Sequence, residues 1–207
     1  MMRLRVLSLM VAATLFAAPL HAQSMSRVAE ICSDPMTTGP QKGIVLEADG
    51  WTKQPKSSLP AVTAIANAHI ASFTAGMKDW TNRYAAIPQL AGNFTTMIDA
   101  GDVALWTKGD AFLAVSIQQT PEGTEHLACY FAGPENPETP EVMARYGTPE
   151  EFPEQGLTAI RFDETAMVMD PERNYQMYSF FSRHKVHPDF ATPDGYRLER
   201  IEKPKSE

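Results

Sequence analysis

Between Val103 and Ala132 apolar and polar residues alternate in three runs, VALWT, AFLAVSIQQ and EHLACYFA. The runs are separated by Lys108-Gly109-Asp110 and Thr120-Pro121-Glu122-Gly123. A period of two belongs to strands, whose successive side chains point to opposite faces. Proline second and glycine fourth suit a type I turn. The pattern predicts an antiparallel meander of strands 103–107, 111–119 and 125–132. Leu113, Val115 and Ile117 share one of its faces, and Leu127, Cys129 and Phe131 continue that face on the next strand. A second strand group is expected at LTAIRFD, TAMVMD, YQMYSFFSR and GYRLERIE, with DPERN as the turn between TAMVMD and YQMYSFFSR.

Upstream of the meander the period changes. Val62, Ala66, Ile70, Phe73 and Met77 fall at helical spacing, with Pro60 placed for a first turn and Gly76 near the end. The stretch AAIPQLAGNFTTMIDAGD holds a short helix and the entry to a strand. Residues 43–50 admit a short strand at Ile44 to Leu46, or a helix opened by Pro40 and closed by Gly50; the helix is preferred. Gly133 to Gly156 contains five prolines and six glutamates against one arginine. It reads as a solvated, proline-stiffened loop around a short helix, with Thr139 as N-cap, Pro140 in the first turn and Gly147 at the close. Helices early and an antiparallel sheet later predict an α+β fold, a single domain with N-terminal helices packed on a mainly antiparallel sheet.

MMRLRVLSLMVAATLFAAPLHAQS has the three-part layout of a secretory signal, with Arg3 and Arg5, an uncharged apolar stretch, and small residues before an expected cut after Ala22. The apolar stretch is shorter than the roughly 20 residues that span a bilayer. The expected organisation is a cleaved signal at 1–22, an N-terminal surface segment at 23–42, a globular domain at 43–202 and a polar tail at 203–207. A periplasmic or secreted destination follows. There the two cysteines, Cys32 and Cys129, are most simply read as one disulfide. The formal charge of −7 becomes more acidic when the two signal arginines are removed, and no basic cluster offers a footprint for nucleic acid or an anionic membrane.

Several constellations bear on chemistry. A His126–Cys129 dyad is ruled out on a strand, because residues three apart face opposite ways. His69, on an apolar helical stripe, is expected to be a satisfied core residue. Arg183, His184 and His187 cluster in FFSRHKVHPD, where an exposed loop is the ordinary reading and a weak metal or anion site the sharper one. Met167, Met169 and Met177 would converge across a hairpin turned at 170–174, in register Met167 to Met177. Three thioethers suit Cu(I), but methionine is also an ordinary core filler, and that reading is preferred. Trp51, Trp80, Trp106, Tyr175 and Tyr178 are candidates to line a groove, with core packing favoured for most of them.

The chain lacks Gly-x-Ser-x-Gly, His-Glu-x-x-His, Gly-x-Gly-x-x-Gly, a Walker loop and Cys-x-x-Cys. No cofactor is expected. The composite expectation is a non-catalytic periplasmic domain that binds a small ligand or an envelope protein. The alternative is a small enzyme using His184 or His187 as acid or base, with Arg183 orienting an anionic substrate.

Overall fold

The computed structural model describes residues 22–34, 37–160, 175–183 and 194–202. Among the described residues eight strands form one sheet in the order β1-β2-β3-β4-β8-β7-β6-β5, and every neighbouring pair is antiparallel. The meander supplies β2 (Val103–Lys108), β3 (Ala111–Gln119) and β4 (Glu125–Gly133). β1 (Thr52–Gln54) lies at one edge. β5 (Glu150–Phe152) lies at the other, next to β6 (Leu157–Ile160) and β7 (Tyr175–Arg183). β8 (Asp194–Glu202) lies between β4 and β7 and joins the two halves. The strand expected at TAMVMD and its turn lie outside the described residues.

Alternation along the strands separates two cores. On one face Trp106, Leu113, Val115, Leu127, Cys129, Phe131, Tyr196 and Leu198 pack against α1 (Ala22–Ser33), α2 (Gly39–Ala48) and α6 (Thr139–Tyr146). On the other, Val103, Leu105 and Ala114 pack against α3 (Leu59–Thr74) and α5 (Ile87–Ala100). The short α4 (Trp80–Tyr84) links α3 to α5. The sheet is therefore sandwiched between helix layers, which is why β4 is buried on both sides over most of its length. The preferred helix at 43–50 is present as α2, with Pro40 in its first turn. Gly101 closes α5 with a left-handed φ of 88°, a conformation that costs an ordinary residue strain.

The N-terminal segment departs from expectation. Instead of running over the surface it forms α1, whose Met25, Val28, Ala29, Ile31 and Cys32 are all buried. These residues recur at helical spacing, but the intervening Ser26, Arg27, Glu30 and Ser33 give the stretch a polar look in sequence. Cys32 is bonded to Cys129, fixing α1 to the central strand β4 across 97 positions. The carbonyls at the C-terminal end of α1 are met by two buried cations. Lys42 Nζ donates to Ile31 O at 2.6 Å and Asp34 O at 2.8 Å, and Arg200 donates to Asp34 O at 2.6 Å. Cations satisfy orphan carbonyls at this end of a helix and complement its dipole.

Two other local expectations are adjusted. α3 buries Val62, Ala66 and Ile70, but Phe73 near its end is 50% exposed, and the helix stops at Thr74, so Met77 lies beyond it. In the acidic, proline-rich segment the helix is present, but its entry is anchored rather than solvated. The Asp194 carboxylate accepts from Asn136 N at 2.7 Å and Thr139 Oγ1 at 2.6 Å. Thr139 is the first helical residue, and Glu138 occupies the N-cap position.

Candidate functional site

Among the described residues two places bring candidate ligand-binding side chains together. The first lies between α3 and the sheet. Tyr130 on β4 and Arg197 on β8 are direct partners in the ladder, so both project toward the α3 layer. The Arg197 guanidinium lies over the Phe73 ring at 4.9 Å and the Tyr130 ring at 5.9 Å. Glu199, two residues along the same strand and face, accepts from Arg197 Nε at 2.7 Å. The other oxygen of Glu199 lies 3.8 Å from His126 Nε2.

His69 completes this group. Its ring packs against Phe73 at 5.1 Å, Tyr130 at 5.5 Å and Phe94 at 6.4 Å. Burial, helped by the nearby Arg197 charge, lowers its pKa from 6.5 to about 4, so the imidazole is neutral at ordinary pH. Burial raises the Tyr130 phenol. His69 Nδ1 has no hydrogen-bond partner among the described residues. The expectation of a satisfied core histidine is thus met in its packing but not at Nδ1.

The second place is a cleft of about 440 Å³ beside the edge strand β5. Gly76, Met77, Lys78 and Trp80 form one wall, and residues 151 to 155 form the other. Gly76 turns the chain out of α3 with a φ of 73°. Gln155 then ties the walls together, with its Nε2 donating to Thr74 O at 2.9 Å and Met77 O at 3.3 Å. Its Oε1 accepts from Gly76 N at 3.2 Å. Trp80 is braced edge-on by Tyr84 at 5.6 Å. Glu151 is positioned by Thr158 Oγ1, which donates to its carboxylate at 3.1 Å. The volume falls within the range of small-molecule sites, which is about 300–1,000 Å³.

Of the sequence-derived candidates, Cys32 and Cys129 form the disulfide and hold no free thiol. Arg183 ends β7, opposite Leu157 in the ladder, and Met177 pairs in backbone register with Glu199. His184, His187, Met167 and Met169 lie outside the described residues, and so does the Met167–Met177 register. Trp51 and Trp106 belong to the core, whereas Trp80 lines the cleft. The sequence offers Trp80 without its partners, because residues 76–80 and 151–155 meet only in the folded chain. Comparison with protein-family models, curated proteins and solved structures finds no match to this chain.

Proposed function

We propose that the chain is an exported, disulfide-stabilised domain that binds a small ligand in the cleft walled by Trp80 and Phe152. The observation that carries this reading is the cleft itself: a cavity of about 440 Å³ with two aromatic residues, charged groups and walls tied together by Gln155. Its concavity favours a small molecule over an envelope protein, which would need a broader surface. Export is supported by the signal-like leader and by the Cys32–Cys129 bond, since disulfides persist in oxidising compartments. No described helix is long and apolar enough to cross a membrane. The enzymatic alternative draws no support from geometry, because His184 and His187 lie outside the described residues.

Trp80 provides the test. The other two tryptophans are buried, Trp51 at 2% and Trp106 at 4% exposure, so a ligand in the cleft should perturb the emission of Trp80 selectively. A thermal-shift screen of small metabolites, repeated with Trp80→Ala, should yield compounds that stabilise the wild type and leave the variant unchanged. A ligand at 100 times its Kd adds about 2.7 kcal/mol. A screen in which no compound stabilises the wild type, or in which Trp80→Ala responds equally, would remove the reading.

A further inference from the structure

The polar groups of the cleft narrow the ligand further. Gln155 is already committed to Gly76, Thr74 and Met77, so its amide is not available to a ligand. The charged groups left are the carboxylates of Glu151 and Glu154 and the ammonium of Lys78. Among the described residues neither Glu154 nor Lys78 has an ion-pair partner, so the lysine does not neutralise the glutamates. An ionised carboxylate only accepts hydrogen bonds. Trp80 and Phe152 add aromatic side chains to the lining, Phe152 while also packing against the core cluster that includes Leu157, and tryptophan is the best aromatic partner for a cation. Two acceptors with net negative charge, set among aromatic residues, complement an ammonium group better than a carboxylate, a phosphate or a neutral alcohol.

We infer that the cleft selects a small organic cation, a primary or quaternary ammonium whose charge meets Glu151 and Glu154 while its carbon skeleton rests on Trp80 and Phe152. This inference rests on the proposed ligand-binding function and specifies the class of ligand. Lys78 would act as a discriminator, weakening any cation by repulsion and setting the site to transient binding. The observation that separates this site from a mere acidic surface is the cavity with its ring walls, held by the Gln155 cross-brace.

The experiment uses the oxidised, signal-free chain and follows Trp80 emission and binding heat with choline, putrescine, succinate and 3,3-dimethyl-1-butanol, the uncharged isostere of choline. The expected result is that choline or putrescine binds at least tenfold more tightly than the isostere. Glu151→Gln combined with Glu154→Gln should cut that affinity tenfold or more, and Lys78→Ala should raise it severalfold. Circular dichroism and an unchanged melting temperature would show the variants folded. Equal binding of the neutral isostere, or preference for succinate, would overturn the cation assignment while leaving small-ligand binding intact. Failure of all four probes would overturn the cation assignment alone, if the broader metabolite screen still finds a Trp80-dependent ligand. If that screen is also empty, both fall.

Discussion

Arg200 donates a hydrogen bond of 2.6 Å to the carbonyl oxygen of Asp34, joining positions 166 residues apart. Its guanidinium also reaches Glu125 at 3.3 Å, while the side chain is 1% exposed. Replacing it with methionine keeps the bulk, removes the charge, and leaves Asp34 O and the half-buried Glu125 with fewer donors. Arg200→Met is expected to cost about 3 kcal/mol, the scale for breaking a buried pair. A urea midpoint within error of the wild type would contradict this.

The Cys32–Cys129 bond should contribute on a similar scale. For a closed loop of about 100 residues the chain-entropy model gives about 4.7 kcal/mol, and measured losses on removing native bridges from small secreted domains run about 2–5 kcal/mol. Cys32→Ala with Cys129→Ala is expected to lower the unfolding free energy by about 2–5 kcal/mol, read from equilibrium denaturation. Intact mass under non-reducing conditions should show the protein two hydrogens lighter than its reduced form.

His69 makes stability depend on pH in a defined direction. Its folded pKa, about 4, lies below its unfolded value near 6.5, so the unfolded chain takes up the proton first. Stability is therefore full above pH 6.5 and falls as the pH drops from 6.5 to about 4, by up to about 3 kcal/mol. Below pH 4 this contribution changes no further. Urea titrations at pH 7, 5 and 4 should show His69→Leu losing less stability than the wild type over that interval; parallel curves would argue against the assignment.

Two glycines differ in how much they tolerate a methyl group. A Cβ at Gly133 would come within 2.8 Å of the Phe131 ring, which is buried and stacked on Tyr196 at 5.2 Å, so the ring has nowhere to go. At Gly39 the clash is closer, 2.6 Å from Ile117 Cδ1 and 2.9 Å from its Cγ2, but Ile117 is 38% exposed, so the whole side chain can turn toward solvent. Gly133→Ala is expected to cost about 1–3 kcal/mol, as overpacking does. Gly39→Ala should cost less, despite the shorter contact. Equilibrium denaturation of the two variants side by side checks the order.

What the sequence made legible follows how local its signals are. β3 and β4 were foreseen nearly to the residue because alternation and the Pro121–Gly123 turn are local cues. α1 was missed because its buried positions are separated by serine, arginine and glutamate, and what buries it comes from Cys129 and Arg200, far along the chain. His69 was rightly seen as packed, but its neighbour Arg197 lies 128 positions away on the last described strand, outside any local window. The cleft is the extreme case, because each wall taken alone is an unremarkable turn.

The position of β8 has a temporal consequence. Among the described residues the sheet's two halves, β1 to β4 and β5 to β7, share no hydrogen-bonded ladder except through β8, the strand ending at residue 202, which lies between them. The same strand carries Arg200, which completes the end of α1. Until that strand is in place β4 and β7 lack the partner that lies between them, and the end of α1 has Lys42 without Arg200, so the pairing that unites the sheet is also its least local. Contacts between the two halves therefore form only as fast as this distant segment can find its slot, which makes β8 the strand whose docking sets the cooperativity of the whole sheet.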